Sequence, residues 1–254
     1  MAPSADFRGA SASARLRKRQ VISATLVPKP AAAVAEGLPF THEGVKLVKR
    51  KIDRLQAHST GSFALTLSPK SWYDILFYLF GCMDPADREG CAYIDVGCGQ
   101  GHGVIYAHQL CNVQSDGIDF EAVIDVAQMT WDALIRRGDV SAPVRGSSKW
   151  AVPGKTPPLR FAVEDALHSR FSLQPYTHAS CIIDDAGVVL HFIALAQAAA
   201  KGAKRRRRCV ERIVFLVPNR GMDELDSFGF ADYTQFKVTL EGGRCSRSVC
   251  AATL

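Results

Sequence analysis

The chain has 254 residues, of which 47% are hydrophobic and 22% are charged, so it is long enough for one α/β domain with a real core and a short appendage. No apolar run reaches the roughly 18 residues that a membrane-spanning helix needs, which predicts a soluble protein with no membrane partner. The net charge of +6 is concentrated in the first 30 residues and in a basic run at 204–208.

Residues 1–37 are rich in Ala, Ser, Arg and Pro and have no sustained hydrophobic period, which predicts a disordered basic arm. The same composition also describes a mitochondrial presequence, so both interpretations stay open. The eight cysteines form no C-x-x-C pair, and no apolar signal-peptide core precedes them. We therefore expect reduced cysteines in an intracellular protein, without a disulfide framework or a metal site.

A small helical lobe is predicted over residues 38–88. From His42 to His58, apolar residues recur near helical spacing with Lys and Arg between them. Residues 59–62, Ser-Thr-Gly-Ser, break this pattern as a loop does. A second, aromatic helix is predicted from Ser71 to Phe80, with Ser68-Pro69 as a start signal.

The remaining residues, 89–254, alternate between strand and helix patterns. Alternating β and α units predict a mostly parallel sheet covered on both faces. A hairpin at 236–240 and 248–254 adds antiparallel strands at one edge. The predicted strands are 92–96, 116–119, 160–163, 179–183 and 213–218, and the predicted helices are 102–111, 121–137 and 188–200.

The strongest motif is the glycine-rich turn between the first strand and its helix. Glycines permit dihedral angles that a Cβ forbids, and the backbone N–H groups at a helix N-terminus attract a carboxylate. An acid directly before the turn suits an ammonium group. The pattern G-x-G-x-G after an acid resembles motif I of the class I methyltransferases, which bind S-adenosylmethionine; the alternative is a tight turn without a ligand. The motif consists of Asp95, Gly97, Cys98, Gly99, Gln100 and Gly101.

Acidic residues also end the next two strands, where a doubly wound sheet has its crevice. Asp119 is placed to accept hydrogen bonds from the ribose hydroxyls, and Phe120 to pack near the adenine. Asp165, or Glu164 beside it, is placed to receive the adenine amino group. The alternatives are a helix N-cap at Asp119 and a plain turn residue at Asp165.

The fourth strand is followed by Asp184 and Asp185, at the position that borders the reactive methyl group in this fold. The Asn/Asp-Pro-Pro-aromatic signature of enzymes that methylate base amines is missing there. A pair of carboxylates is suited to hold or help deprotonate an amine, so both are predicted as catalytic residues. The alternative is that both cap the following helix.

Beyond motif I, residues 42–254 resemble the disruptor-of-telomeric-silencing family of non-SET histone lysine methyltransferases, in a short protist-like form. Cys98 replaces the serine of the family's glycine loop, and Gly117-Ile-Asp119 matches its Gly-x-Glu. Thr60-Gly61-Ser62 stands where the family has a Tyr-Gly-Glu loop that closes over the cofactor. Asp184-Asp185-Ala186 stands where it has two asparagines and an aromatic residue. The resemblance implies a seven-stranded Rossmann-like sheet behind a helical lobe, and a lysine of histone H3 in nucleosomes as the acceptor.

Clustered positive charge fits this interpretation, since an enzyme acting on nucleosomes needs to contact DNA phosphates or acidic histone surfaces. The same segments are typical of nuclear import signals, so we expect a nuclear protein. They suit equally an RNA methyltransferase, in the mitochondrion if the arm is a presequence. A cofactor-binding protein without catalysis is the third hypothesis. The uninterrupted basic run consists of Lys204, Arg205, Arg206, Arg207 and Arg208.

Overall fold

Seven strands form a single sheet in the order β3-β2-β1-β4-β5-β7-β6. The first five strands are parallel, and β7 pairs antiparallel with both β5 and β6. This order confirms the predicted class I methyltransferase fold, a Rossmann-like mostly parallel sheet with a C-terminal antiparallel hairpin. The strands are β1 Ala92–Val96, β2 Gln114–Asp119, β3 Leu159–Val163, β4 His178–Cys181, β5 Arg212–Leu216, β6 Asp232–Thr239 and β7 Ser246–Thr253.

The structure, a computed structural model, describes residues 40–56, 66–88, 90–139, 157–201, 209–217, 225–241 and 245–254. No helix within these ranges is long and apolar enough to cross a membrane. All eight cysteines are unpaired. The helices are α1 His42–Gln56, α2 Pro69–Leu76, α3 Pro85–Arg88, α4 His102–Cys111, α5 Glu121–Arg136 and α6 Ala186–Lys201.

Alternate residues of β1 face opposite sides of the sheet and join two separate cores. Tyr93 packs with Val104 of α4 and with the helices of the N-terminal lobe. Ile94 packs instead with Phe192 of α6 on the other face. Since Asp95 is two residues after Tyr93, its side chain points to the face that α4 and the lobe cover.

Several predicted boundaries were wrong. The second lobe helix does not run as an α-helix to Phe80, because α2 ends at Leu76 and a widened π-helical turn follows over Phe77–Gly81. The Arg212 guanidinium donates to the carbonyl oxygens of Tyr78 (3.0 Å) and Leu79 (3.4 Å) in that turn. An arginine far away in the sequence therefore satisfies carbonyls that local periodicity assigns to a regular helix. In the sheet, β4 is shorter than predicted and β6 starts four residues earlier.

The order in which strands are added to the sheet reverses between β1 and β4. β2 and β3 lie on one side of β1, whereas β4 and β5 lie on the other. At such a switch point the connections after β1 and β4 leave toward opposite faces and open a crevice outside the carboxyl ends of the strands. The glycine-rich turn after β1 and the Asp184–Asp185 pair after β4 border this crevice.

Candidate active site

The glycine-rich turn has the backbone geometry that its sequence predicts. Gly97, Gly99 and Gly101 all have positive φ, at 73°, 54° and 81°. The N–H groups of Gly97 and Cys98 both donate to the carbonyl oxygen of Ile118, at 2.9 and 3.1 Å, which ties the turn to the end of β2. The turn is therefore a fixed element rather than a loose connection.

Gly97 is the position where a side chain is least tolerable. A Cβ built there lies 2.3 Å from Cδ1 of Ile183, which follows β4, and the φ of 73° disfavours any L side chain. The Ile183 side chain therefore packs against the turn where Gly97 has no Cβ, and the positive φ favours glycine at this position.

Asp119 uses both carboxylate oxygens to hold backbone next to the turn. Its Oδ2 accepts the N–H of Gly99 at 2.8 Å, and its Oδ1 accepts the N–H of Phe120 at 2.8 Å. Each carboxylate oxygen has a second lone pair, so Asp119 keeps the capacity to accept hydroxyl groups of a ligand. Its observed bonds fit the predicted ribose role and also show that it organises the loop.

Asp95 is a buried carboxylate with a hydroxyl partner but no cationic one. Its side chain is 2% exposed, and the Ser180 hydroxyl donates to its Oδ1 at 2.5 Å. Burial raises the pKa of Asp95 to about 7, Ser180 opposes that shift, and the nearby Asp119 carboxylate adds to it. No cationic side chain of the described residues contributes to it. Burial of an ionised carboxylate costs free energy unless the charge is paired, so a positively charged ligand group would stabilise the ionised form of Asp95.

Exposed apolar side chains lie around the carboxyl ends of β2 and β3. Phe120 is 77% exposed, Val163 59% and Leu167 51%, and Val163 is the register partner of Asp119. Large apolar groups left open beside a polar crevice are typical of a ligand-binding ledge. Such a ledge is suited to the flat face of a purine.

Glu164 and Asp165 directly follow β3 and are exposed at the same edge. Asp165 makes a local turn, since its Oδ1 accepts the N–H of Leu167 at 2.8 Å. This contact is the plain turn function that the sequence left open for it. Glu164 lies next to this turn at the crevice edge, where the adenine contact was predicted.

The two predicted catalytic carboxylates have different surroundings. Oδ1 of Asp185 accepts the N–H of Val188 at 3.0 Å, which caps the N-terminus of α6. Oδ2 of Asp184 instead forms an ion pair with the Arg247 guanidinium at 3.2 Å. Arg247 belongs to β7, so the closing hairpin supplies a cation to the segment after β4. Asp185 therefore has the capping role that the sequence left open for it, whereas Asp184 is paired with a cation.

The N-terminal lobe is attached to the glycine-rich turn. The side-chain amide of Gln56, at the end of α1, donates to the carbonyl oxygen of Gln100 at 3.4 Å and to the Thr130 hydroxyl at 3.1 Å. Lys49 of the same helix pairs with Glu241 after β6 at 2.6 Å. The lobe therefore covers the cofactor end of the crevice.

Two sets of predicted residues lie outside the described residues. They are Thr60 and Gly61, and the basic run from Lys204 to Arg208. The ends that flank the basic run are described: α6 ends at Lys201, and β5 begins at Arg212.

Sequence reasoning missed several residues that shape the site. Ser180 and Arg247 lie inside strands, and no motif marks them. Trp72 of α2 packs so closely on α4 that a Cβ at Gly103 would lie 2.4 Å from its ring. A signal existed only for Ser180, because a small polar residue in a buried strand beside a strand that ends in an acid suggests a hydrogen bond.

No family model and no curated protein sequence matches the chain. Among solved structures, it is similar to magnesium protoporphyrin IX methyltransferase from Synechocystis with bound S-adenosylmethionine (14% identity, TM-score 0.46, 81% of this chain and 90% of that one). It is also similar to a human methyltransferase 10 domain containing protein (13%, 0.45, 84% and 96%). A third is an RNA methyltransferase from Salinibacter ruber in complex with S-adenosyl-L-homocysteine (15%, 0.40, 75% and 93%).

Proposed function

We propose that this protein is an S-adenosylmethionine-dependent methyltransferase, and that its acceptor is a lysine of histone H3 in nucleosomes. The single observation that carries the cofactor assignment is the buried, cation-free Asp95 beside three glycines of positive φ. The cofactor's ammonium group provides the cation that Asp95 needs. Its carboxylate fits the N–H groups at the start of α4.

The rest of the cofactor fits the neighbouring groups. Asp119 is placed for the ribose hydroxyls, and Phe120 with Val163 supplies an apolar ledge for the adenine. Glu164 stands at the edge of that ledge for the adenine amino group. When bound, S-adenosylmethionine supplies an electrophilic methyl group on a sulfonium, which an amine nitrogen attacks in line.

The charge at the crevice favours a cationic acceptor. Within four residues after the ends of strands β1 to β4, every charged side chain is acidic. These residues are Glu121, Glu164, Asp165, Asp184 and Asp185. Arg247 offsets the charge of Asp184 at this edge, and the remaining acidic groups attract a lysine ammonium and repel a phosphate backbone.

Asp184 is the residue we assign to the acceptor. Its pairing with Arg247 holds the carboxylate at the crevice edge. There it would orient the acceptor ammonium and accept its proton, which leaves the nitrogen lone pair free to form the new N–C bond as the S–C bond of the sulfonium breaks. Asp185 is occupied by the cap of α6 and positions that segment.

The basic run Lys204–Arg208 serves in this proposal as a distant contact with DNA phosphate or an acidic histone surface. Neutralising the run should lower nucleosome affinity and flatten its salt dependence, without changing cofactor affinity.

RNA, including mitochondrial rRNA, is the second candidate acceptor, and the basic run and N-terminal arm support it. Incubation with labelled S-adenosylmethionine and, in parallel, nucleosomes, free H3 and total RNA separates the two. We expect label on H3 in nucleosomes, and turnover about a hundredfold lower in Asp184→Asn. RNase-sensitive label overturns the histone assignment. Cofactor binding without label on any acceptor indicates a binding protein without catalysis.

A further inference from the structure

Three fully buried side chains form one hydrogen-bonded chain across strands β1 and β4. The hydroxyl oxygens of Tyr93 and Ser180 lie 2.6 Å apart, and Ser180 Oγ lies 2.5 Å from Asp95 Oδ1. The exposed fractions are 0% for Tyr93, 0% for Ser180 and 2% for Asp95. Hydroxyl pairs at such distances deep in a core are directional contacts that fix rotamers.

The strand register explains why these three meet. Asp95 and Ser180 are direct partners in the parallel pairing of β1 with β4. Tyr93 lies two residues before Asp95 and points to the same face of the sheet. The sheet itself therefore holds Ser180 between the other two side chains.

The direction of these hydrogen bonds follows from the chemistry of Asp95 and Tyr93, the two side chains at the ends of the hydrogen-bonded chain. An ionised carboxylate only accepts, so Ser180 donates its single proton to Asp95. Ser180 then accepts from the Tyr93 hydroxyl. Tyr93 remains protonated, because burial keeps the pKa of its hydroxyl well above the ordinary value.

We propose that Ser180 and Tyr93 are positioning residues, which hold the Asp95 carboxylate in the orientation that receives the ammonium group of the cofactor. This inference rests on the proposed cofactor. Oδ1 is fixed by Ser180, while Oδ2 is directed toward the start of α4, 2.8 Å from where a Cβ of Gly103 would be. Neither Ser180 nor Tyr93 contacts the cofactor in this arrangement, because both act through Asp95.

Among the described residues, Ser180 is the side chain that donates a hydrogen bond to Asp95, and the titratable groups nearby do not replace it. Asp119 of β2 is the neighbouring carboxylate, and the thiols of Cys98 and Cys181 near Asp95 stay neutral because burial raises the pKa of each. On α4, His102 faces Lys49 and Asp53 of the lobe instead, and burial lowers its pKa to about 4, so it is uncharged at neutral pH. Removing the Ser180 hydroxyl therefore leaves the ionised form of Asp95 with less support.

The test compares Ser180→Ala and Tyr93→Phe with matched controls in the free protein and with S-adenosylmethionine. Ser115→Ala removes another fully buried strand hydroxyl, which donates to the carbonyl oxygen of Val113. Tyr106→Phe removes a fully buried tyrosine hydroxyl that has no hydrogen-bond partner among the described residues. The readouts are the dissociation constant by calorimetry between pH 6 and 9, and the carboxyl titration of Asp95 by NMR without ligand.

We expect Ser180→Ala to weaken binding about tenfold at pH 7 and Tyr93→Phe about threefold. The titration midpoint of Asp95 should move upward in both, and the controls should match the wild type. If Ser180→Ala has the Asp95 titration midpoint and the cofactor affinity of the wild type, the inference is overturned. It is also overturned if Ser115→Ala loses as much cofactor affinity as Ser180→Ala. A wild-type protein that binds no cofactor at any pH overturns the proposed function as well.

Discussion

The two sides of the crevice differ in how their carboxylates are used. On the cofactor side, Asp95 is buried without a cation. On the acceptor side, Asp184 already has the Arg247 guanidinium as its partner, and Asp185 caps α6. Among the residues that the structure describes, no cation therefore stands beside Asp95, and a ligand can supply one, whereas Asp184 already has a cationic partner without a ligand.

The two halves of the site therefore depend on different kinds of contact in the fold. The cofactor side depends on backbone shape, because the turn, its glycines and the end of β2 are bound to one another over a few residues. The acceptor side depends on a contact between residues 63 positions apart in sequence, Asp184 and Arg247. A comparison of substitutions on the two sides should separate loss of cofactor binding from loss of transfer.

The largest effect is expected for Gly97→Arg, which should abolish cofactor binding. The side chain would have to pass Ile183, and a positive φ adds strain. Calorimetry with S-adenosylmethionine measures the loss, and circular dichroism checks the fold. Gly138→Arg is the matched control, since Gly138 has a φ of 68° but open space around its Cβ position. Normal affinity in folded Gly97→Arg would refute the loop assignment.

Asp95→Asn should weaken cofactor binding by at least about a hundredfold, because the ammonium loses its buried charged partner. It should also stabilise the free protein at pH 8. The pKa of Asp95 is raised in the folded state to about 7, so the stability that Asp95 contributes is present below about pH 4 and is lost as pH rises through 7. Each pH unit in that window costs about 1.4 kcal/mol.

Thermal unfolding at pH 8 and pH 4 checks this, with a gain expected only at pH 8. Asp116→Asn is the control, because Asp116 is also buried but accepts from Arg160 and Tyr176 at 2.9 and 2.7 Å. That substitution should destabilise the protein at pH 8, since it removes the charge of a paired group. A loss of stability in both variants would contradict the view that Asp95 lacks a cation.

Phe120→Ala should weaken cofactor binding about tenfold, because a base that stacks on an aromatic ring gains on the order of 1–3 kcal/mol. The free protein should keep its stability, since the ring is 77% exposed. Met129→Ala on α5 removes an apolar side chain of similar exposure, 70%, and should leave affinity unchanged. Fluorescence or calorimetric titration with S-adenosylmethionine distinguishes the two, and equal affinities would argue against the adenine ledge.

The sequence predicted most of the fold and the cofactor side, because both depend on short-range patterns. The alternation of β and α segments led to the sheet, and the glycines with Asp95 and Asp119 led to the turn. Ser180 and Arg247 were missed since their roles come from strand register and from the closing hairpin. The π-helical turn after Leu76 was missed for the same reason, as Arg212 lies more than 130 residues from Tyr78.

The smallest effect is expected at Asp185, which caps α6, and this residue tests directly whether Asp184 or Asp185 has the chemical role. Asp185→Asn should change turnover by less than about twofold and the free energy of unfolding by less than about 0.5 kcal/mol. The reason is that asparagine caps helices as well as aspartate does. Asp185→Ala should lower the free energy of unfolding by about 1 kcal/mol through loss of the bond to the Val188 N–H. Urea unfolding and the nucleosome assay measure the two quantities. A large fall in turnover in Asp185→Asn, with stability and cofactor affinity unchanged, would instead assign the chemical role to Asp185 and reduce Asp184 to a partner of Arg247.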